Sequence, residues 1–175
     1  MTRPLYPAER VAVFIDVQNM YHSARSLHNA RVNFKEILKE AVANRHLIRA
    51  FAYVIRTKTG EEQPFFEALQ KQGIEIRVRD LLEFYGGAKK ADWDVGIVID
   101  AIRTSEIVDA IVLVSGDGDF VDLIDHLRSR GRHIEVMAFG KSTSSRLKEA
   151  ADTFIDISEE PKKYLINIKK GSSKP

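Results

Sequence analysis

The chain contains no cysteine, and this absence narrows the chemistry available to its 175 residues. Disulfide frameworks, thiolate nucleophiles and cysteine-ligated zinc sites are all excluded. No stretch approaches the roughly 18 consecutive apolar residues that a membrane span requires. The opening residues, MTRPLYPAER, lack the apolar segment of a signal peptide. We therefore expect a cytoplasmic protein with no membrane partner.

An excess of charge of either sign is also missing, since 27 Lys and Arg face 25 Asp and Glu. The 44% apolar and 30% charged residues are those of an ordinary globular protein, and the length fits one domain. Charge is unevenly placed, however, because the last residues are rich in lysine. We predict a lead over 1–10, a domain over 11–158 and a basic tail over 159–175 that could attract a polyanion.

Apolar runs that suit buried strands alternate with helical patterns along the chain. The run VAVFID (Val11–Asp16) suits a strand buried on both faces. Strands alternating with helices predict an α/β fold in three layers, with a central, mostly parallel sheet and helices on both faces. The further predicted strands are Leu47–Ile55, Ile74–Arg79, Ala110–Ser115, His133–Phe139 and a final FIDI, and the segment Leu81–Ala91 is predicted as a loop or small hairpin.

Aspartates stand where two of the predicted strands end. Asp16 closes the first strand, and Asp117 and Asp119 follow the fourth in the segment VLVSGDGDF. Ligands of open α/β sheets bind beyond the carboxyl ends of the strands, where the strand order reverses. If the first and fourth strands are neighbours, these three carboxylates converge.

A fourth carboxylate follows from helical phase in the segment after Trp93. Asp94 stands at the head of an apolar stripe formed by Ile97, Val98 and Ala101. The same phase puts Asp92 on roughly the opposite side and Asp100 on the flank. Asp94 is therefore preferred, Asp100 is held in reserve and Asp92 is rejected.

Helix capping is the competing interpretation of each aspartate, because Asp is favoured at helix N-termini. Capping needs one carboxylate per helix start, whereas SGDGDF supplies two. A shared cation explains all four positions with one cause. An all-oxygen ligand set favours Mg²⁺ or Mn²⁺, and the five histidines show no paired spacing at these strand ends.

Three segments resemble the signature blocks of the NYN domain family, in its LabA-like branch: FIDVQN, KADWDVGIVID and SGDGDF. A fourth segment, SSRLKEAADTFIDI, is a weaker match to the closing helix and strand. The resemblance implies a PIN-like fold and metal-dependent ribonuclease activity. It assigns metal binding and catalysis to Asp16, Asp94, Asp117 and Asp119, and a supporting role to Asn19 and Ser115. Asp92 departs from the family pattern, in which many members have a small residue there.

A nuclease must also hold a polyanion, and cations near strand ends are the candidates. Lys90 and Arg146 flank the expected site, followed by Lys141 and Arg56. Trp93 and Tyr85 could stack on splayed bases of single-stranded RNA, although packing is the favoured interpretation of Trp93 beside a helix start. A phosphatase, a receiver domain and a dinucleotide-binding fold fit the motifs poorly. The second hypothesis is a non-catalytic module that binds RNA or protein and retains the acidic pocket, and the oligomeric state, a homodimer included, stays open.

Overall fold

The computed structural model describes residues 5–83 and 89–168, with the backbone alone at 83, 89 and 90. Ten strands are present within this part of the chain: β1 Arg10–Asp16, β2 Ala30–Val32, β3 His46–Arg56, β4 Glu75–Asp80, β5 Leu82–Glu83, β6 Lys89–Lys90, β7 Ala110–Val114, β8 His133–Ala138, β9 Thr153–Asp156 and β10 Leu165–Asn167. The α-helices are α1 Val17–His28, α2 Phe34–Val42, α3 Gln63–Lys71, α4 Asp94–Thr104, α5 Val121–Ser129, α6 Ser145–Ala150 and α7 Pro161–Tyr164.

Six strands form a parallel sheet in the order β4-β3-β1-β7-β8-β9. After β1 the chain builds outward on one side through β3 and β4, and then returns to the other side through β7, β8 and β9. The strand order therefore reverses between β1 and β7, which are direct neighbours. The first and fourth predicted strands are adjacent, as convergence of the strand-end aspartates requires.

The sheet is covered on both faces because its central strands are apolar on both sides. In β1, Val11, Val13 and Ile15 pack in a core with α1, α2 and α3. The alternate residues Ala12 and Phe14 pack in a second core with α4, α5 and α6. The predicted three-layer α/β fold is confirmed, and within the described residues no helix is long and apolar enough to cross a membrane.

The segment after residue 159 differs from the predicted basic tail. Residues 161–167 form α7 and β10, and β10 pairs antiparallel with β2. Tyr164 is 3% exposed in the core beside α2, and its carbonyl oxygen accepts a hydrogen bond of 2.8 Å from the backbone N–H of Asn33. Both β2 and β10 have three residues, too few to show a two-residue periodicity in the sequence.

The predicted hairpin between β4 and α4 is present as the antiparallel pair β5 and β6. Its centre, with Tyr85 and the Gly86-Gly87 pair, lies outside the described residues. The side chain of Lys90 lies outside them as well.

The buried Tyr164 gives a test of the closing segment. We expect Tyr164→Ala to lower the free energy of unfolding by about 3 kcal/mol, because it removes a large buried side chain. Lys162→Ala, at an exposed position of the same helix, should change it by less than about 0.5 kcal/mol. Urea unfolding followed by circular dichroism measures both, and equal small effects would contradict the packing of this segment on the domain.

Candidate metal-binding site

The predicted carboxylates gather at the carboxyl ends of β1 and β7. Asp16 is the last residue of β1, and the turn that carries Asp117 and Asp119 follows directly after β7. Asp94 is the first residue of α4 and lies beside them. Asp16, Asp94 and Asp117 line one cleft of about 250 Å³, at the point where the strand order reverses.

Asp16 is held rigidly by its neighbours. One carboxylate oxygen accepts the backbone N–H of Asn19 at 3.2 Å, which caps α1. The other accepts the hydroxyl of Ser115 at 3.0 Å. Ser115 is itself fully buried, so it ties the end of β1 to the end of β7. Ser115 is thus in direct contact with one of the predicted carboxylates.

The SGDGDF segment forms a tight turn and a single 3₁₀ turn over Gly118–Phe120 before α5 begins. The Asp117 carboxylate accepts the backbone N–H of Asp119 at 2.9 Å. The side-chain oxygen of Asn19 accepts the backbone N–H of Gly116 at 3.0 Å. Asp16 and Asp117 therefore cap their helical turns and still point into one site, so capping and convergence are compatible.

The two glycines of the turn allow close contact with the segment before α6. A Cβ at Gly116 would lie 2.8 Å from Thr143 Oγ1 and 3.3 Å from the Ser142 carbonyl oxygen. A Cβ at Gly118 would lie 2.8 Å from Ser144 Oγ. Any larger residue would push the turn away from α6, and the aspartates with it. The glycines therefore fix where Asp117 and Asp119 lie.

Three carboxylates are close enough to share an ion. Asp94, Asp117 and Asp119 each place one oxygen within 4.8 Å of the others. Asp16 lines the same cleft but is not one of these three, and its oxygens accept hydrogen bonds from Asn19 and Ser115. In the described part of the chain, no lysine or arginine forms an ion pair with any of the four.

Burial and, to a lesser extent, repulsion among the carboxylates raise the pKa of two of these groups. Burial, followed by repulsion from Asp117 and Asp16, raises the pKa of Asp94 to about 6. Burial also raises the pKa of Asp16, against the opposing effect of its two hydrogen bonds. A divalent cation would remove the cost of ionising both groups. The carboxylate donors, which form no ion pair with a lysine or arginine in the described residues, therefore fit a divalent cation.

Asp92 lies at the site, contrary to the helical-phase argument that rejected it. It lines the cleft, and its charge contributes to the raised pKa of both Asp16 and Asp94. Helical phase does not apply to Asp92, because α4 begins only at Asp94 and Asp92 precedes the helix. Its carboxylate accepts the backbone N–H of Asp94 at 3.3 Å.

Asp100 lies on the flank of α4 and does not belong to the carboxylate cluster. Its carboxylate accepts the phenolic hydroxyl of Tyr53 at 2.9 Å and lies 3.3 Å from Nε of Arg77. It therefore supports the packing of α4 on β3 and β4.

Helix α1 adds cleft residues that sequence reasoning missed. Gln18 and His22 line the cleft together with Asn19. Gln18 and His22 are both exposed and stand one helical turn apart on α1. The sequence could have indicated both residues, because helical periodicity places them on the same side of α1 as Asn19.

The predicted RNA-contacting residues Lys141, Arg146 and Arg56 are not among the described residues that line the cleft. Lys141 and Arg146 are exposed at the carboxyl end of β8 and the start of α6, next to the Ser144 that contacts Gly118. Arg56, at the end of β3, forms an ion pair of 2.8 Å with Asp80. Trp93 packs against Tyr53 with ring centroids 5.3 Å apart, and its indole N–H donates to the Val54 carbonyl oxygen at 2.9 Å.

Comparison with known proteins identifies relatives over nearly the whole chain. The family model described as the NYN domain matches residues 10–159. The Low amplitude and bright protein LabA of Synechococcus elongatus is 33% identical over 159 residues, which cover 86% of this chain and 84% of that protein. The crystal structure of a protein of unknown function from Vibrio parahaemolyticus superposes with a TM-score of 0.83 at 30% identity, covering 94% of this chain and all of that one.

The raised pKa of Asp94 predicts a pH-dependent gain in stability on its neutralisation. The folded-state pKa of about 6 exceeds the ordinary value of 3.8, so folding is penalised increasingly as the pH rises between these values. In EDTA, Asp94→Asn should therefore stabilise the protein at pH 7.5 by on the order of 1 kcal/mol, since solvent screens part of the repulsion. At pH 4 the gain should vanish.

Asp125→Asn is the matched control, because Asp125 is exposed on α5 and lies outside the cleft. Urea unfolding at the two pH values measures both variants. An Asp94→Asn protein that is no more stable than the control at pH 7.5 would contradict the repulsion.

Proposed function

The chain belongs to the NYN domain family, in its LabA-like branch, and on that premise we propose that it is a metal-dependent ribonuclease. The observation that carries the proposal is the group of three carboxylate oxygens from Asp94, Asp117 and Asp119 within 4.8 Å of one another. This group lies beside Asp16 at the switch point of a parallel sheet, the usual position of a ligand in such folds. The reaction is hydrolysis of RNA phosphodiester bonds.

In this proposal one Mg²⁺ or Mn²⁺ ion would be held by Asp94, Asp117 and Asp119. Asp16 is a fourth carboxylate in the lining of the same cleft. A divalent ion at these residues would supply polarisation of a phosphoryl oxygen and a lower pKa for an attacking water. The carboxylate oxygens would orient that water by accepting its hydrogen bonds. Asn19 and Ser115 keep the β1 and β7 ends in register, through the contacts to Gly116 and Asp16.

We propose single-stranded RNA as the substrate, because an unpaired strand can bring one phosphodiester bond into a cleft of about 250 Å³. We propose that the exposed Lys141 and Arg146, which follow β8, contact phosphates, and we assign Arg56 and Lys90 the same role. Phosphate contacts predict an RNA affinity that falls steeply with added salt.

Removing one ligand tests the reaction directly. Asp117→Asn should reduce cleavage of a labelled single-stranded RNA in Mg²⁺ or Mn²⁺ by at least about 100-fold. The loss of one charged ligand weakens binding of the ion and displaces the attacking water from its position. Asp125→Asn should cleave like the parent protein. Undiminished cleavage by Asp117→Asn would exclude this site as the active one.

Calorimetry separates the proposal from the non-catalytic alternative. The parent protein should bind Mn²⁺, and Asp117→Asn should bind it at least about tenfold more weakly. Metal binding without turnover of any RNA would favour a binding module that keeps its acidic pocket. Absence of metal binding would contradict both.

A further inference from the structure

Two arginines line the exposed face of the edge strand that leads toward the acidic cleft. In β4, Glu75, Arg77 and Arg79 point to the same face as α4, because they pair with Phe51, Tyr53 and Ile55 of β3. No strand pairs beyond β4 in the described sheet. Arg79 is exposed and the Arg77 side chain is 43% exposed, with Nε of Arg77 buried.

Arg79 is fixed at the rim of the cleft. Its Nη1 donates to the Asp92 carbonyl oxygen at 2.7 Å, and its Cζ lies 4.0 Å from the centroid of the Trp93 ring. Asp92 and Trp93 both line the cleft. Within the described residues no carboxylate forms an ion pair with Arg79.

Arg77 continues this surface along the strand. Its Cζ lies 5.1 Å from the centroid of the Phe51 ring, and its Nε lies 3.3 Å from Asp100 Oδ2. At the other end of this row of β4 side chains (Glu75, Arg77 and Arg79), Glu75 forms an ion pair of 2.7 Å with Arg49. Positive charge is therefore concentrated at the cleft end of the row.

We infer that Arg79 and Arg77 bind consecutive phosphates of the single-stranded RNA whose scissile bond lies in the cleft, an inference that rests on the proposed function. Residues two apart on a strand are separated by about 6.6 Å, comparable to the phosphate spacing of an extended single strand. Guanidinium groups bind phosphate through paired hydrogen bonds. The stacking on Trp93 and Phe51 holds the guanidinium groups in place and so reduces the entropy lost on binding.

The simpler interpretation is that these arginines only protect an edge strand from pairing with another chain. The two interpretations differ in their consequences for RNA. Edge protection predicts no effect on RNA affinity beyond the loss of general positive charge. A phosphate-binding row predicts a loss specific to these two positions.

The binding test uses Asp117→Asn protein, in which turnover is removed, and a fluorescein-labelled oligouridylate followed by anisotropy. Adding Arg77→Gln and Arg79→Gln should weaken binding roughly tenfold at low salt. Between about 50 and about 200 mM KCl, the slope of log affinity against log salt should fall in magnitude by about 0.7 for each lost phosphate contact. Arg79→Lys should recover only part of the affinity, because lysine lacks the planar fork.

Arg103→Gln is the matched control, since Arg103 is exposed in the last turn of α4, about 14 Å from Asp94 along the helix. Trp93 is the only tryptophan in the sequence, so its fluorescence reports occupancy beside Arg79. We expect RNA to change that fluorescence in the Arg103→Gln protein and to have less effect after Arg79→Gln. Thermal unfolding of each variant checks that the fold is retained.

The outcomes separate this inference from the proposed function. Equal affinities and salt slopes for the Arg77/Arg79 and Arg103 variants, or no RNA binding at all, would overturn the phosphate-binding row. If the Arg77 and Arg79 substitutions leave RNA affinity unchanged and the protein still cleaves RNA, the proposed nuclease function stands and phosphate binding by the two arginines is excluded. Position-specific loss of binding in a protein that cleaves no RNA would retain the row and remove hydrolysis.

Discussion

Repulsion among carboxylates at one edge of the sheet is the interaction on which the rest of the site depends. Asp94, Asp117 and Asp119 bring oxygens within 4.8 Å of each other, with no ion pair to lysine or arginine in the described residues. The pKa of Asp94, raised to about 6, reflects the burial and repulsion that oppose its ionisation. A fold that keeps such a group together favours whatever cation relieves the repulsion.

The scaffold resists this repulsion through rigid backbone contacts. Neighbouring parallel strands end together, and the hydroxyl of Ser115 joins Asp16 to the end of β7. The turn after β7 is pressed against the segment before α6, where Gly116 and Gly118 leave no room for a side chain. The buried layers of β1, one on each face, hold this edge in place. Packing on both faces therefore sets the geometry of the charges.

The sequence predicted the parts of this structure that obey one dominant periodicity. Strands apolar on both faces identified the sheet, and their final residues identified Asp16, Asp117 and the turn that carries Asp119. Asp92 was misplaced because a helical wheel assumes a helix, and α4 begins two residues later. The strands β2 and β10 are too short to leave a pattern, and their pairing depends on contacts between distant parts of the chain. The Arg79 contact with Trp93 likewise depends on tertiary packing, which no local pattern encodes.

Manganese-edge anomalous diffraction from a crystal of this protein soaked in MnCl₂ tests the central claim most directly. The account predicts an anomalous peak at coordination distance, about 2 Å, from oxygens of Asp94, Asp117 and Asp119. A map with no peak at this edge, or one that shows the three carboxylates apart and each bound only to its own turn, would contradict it.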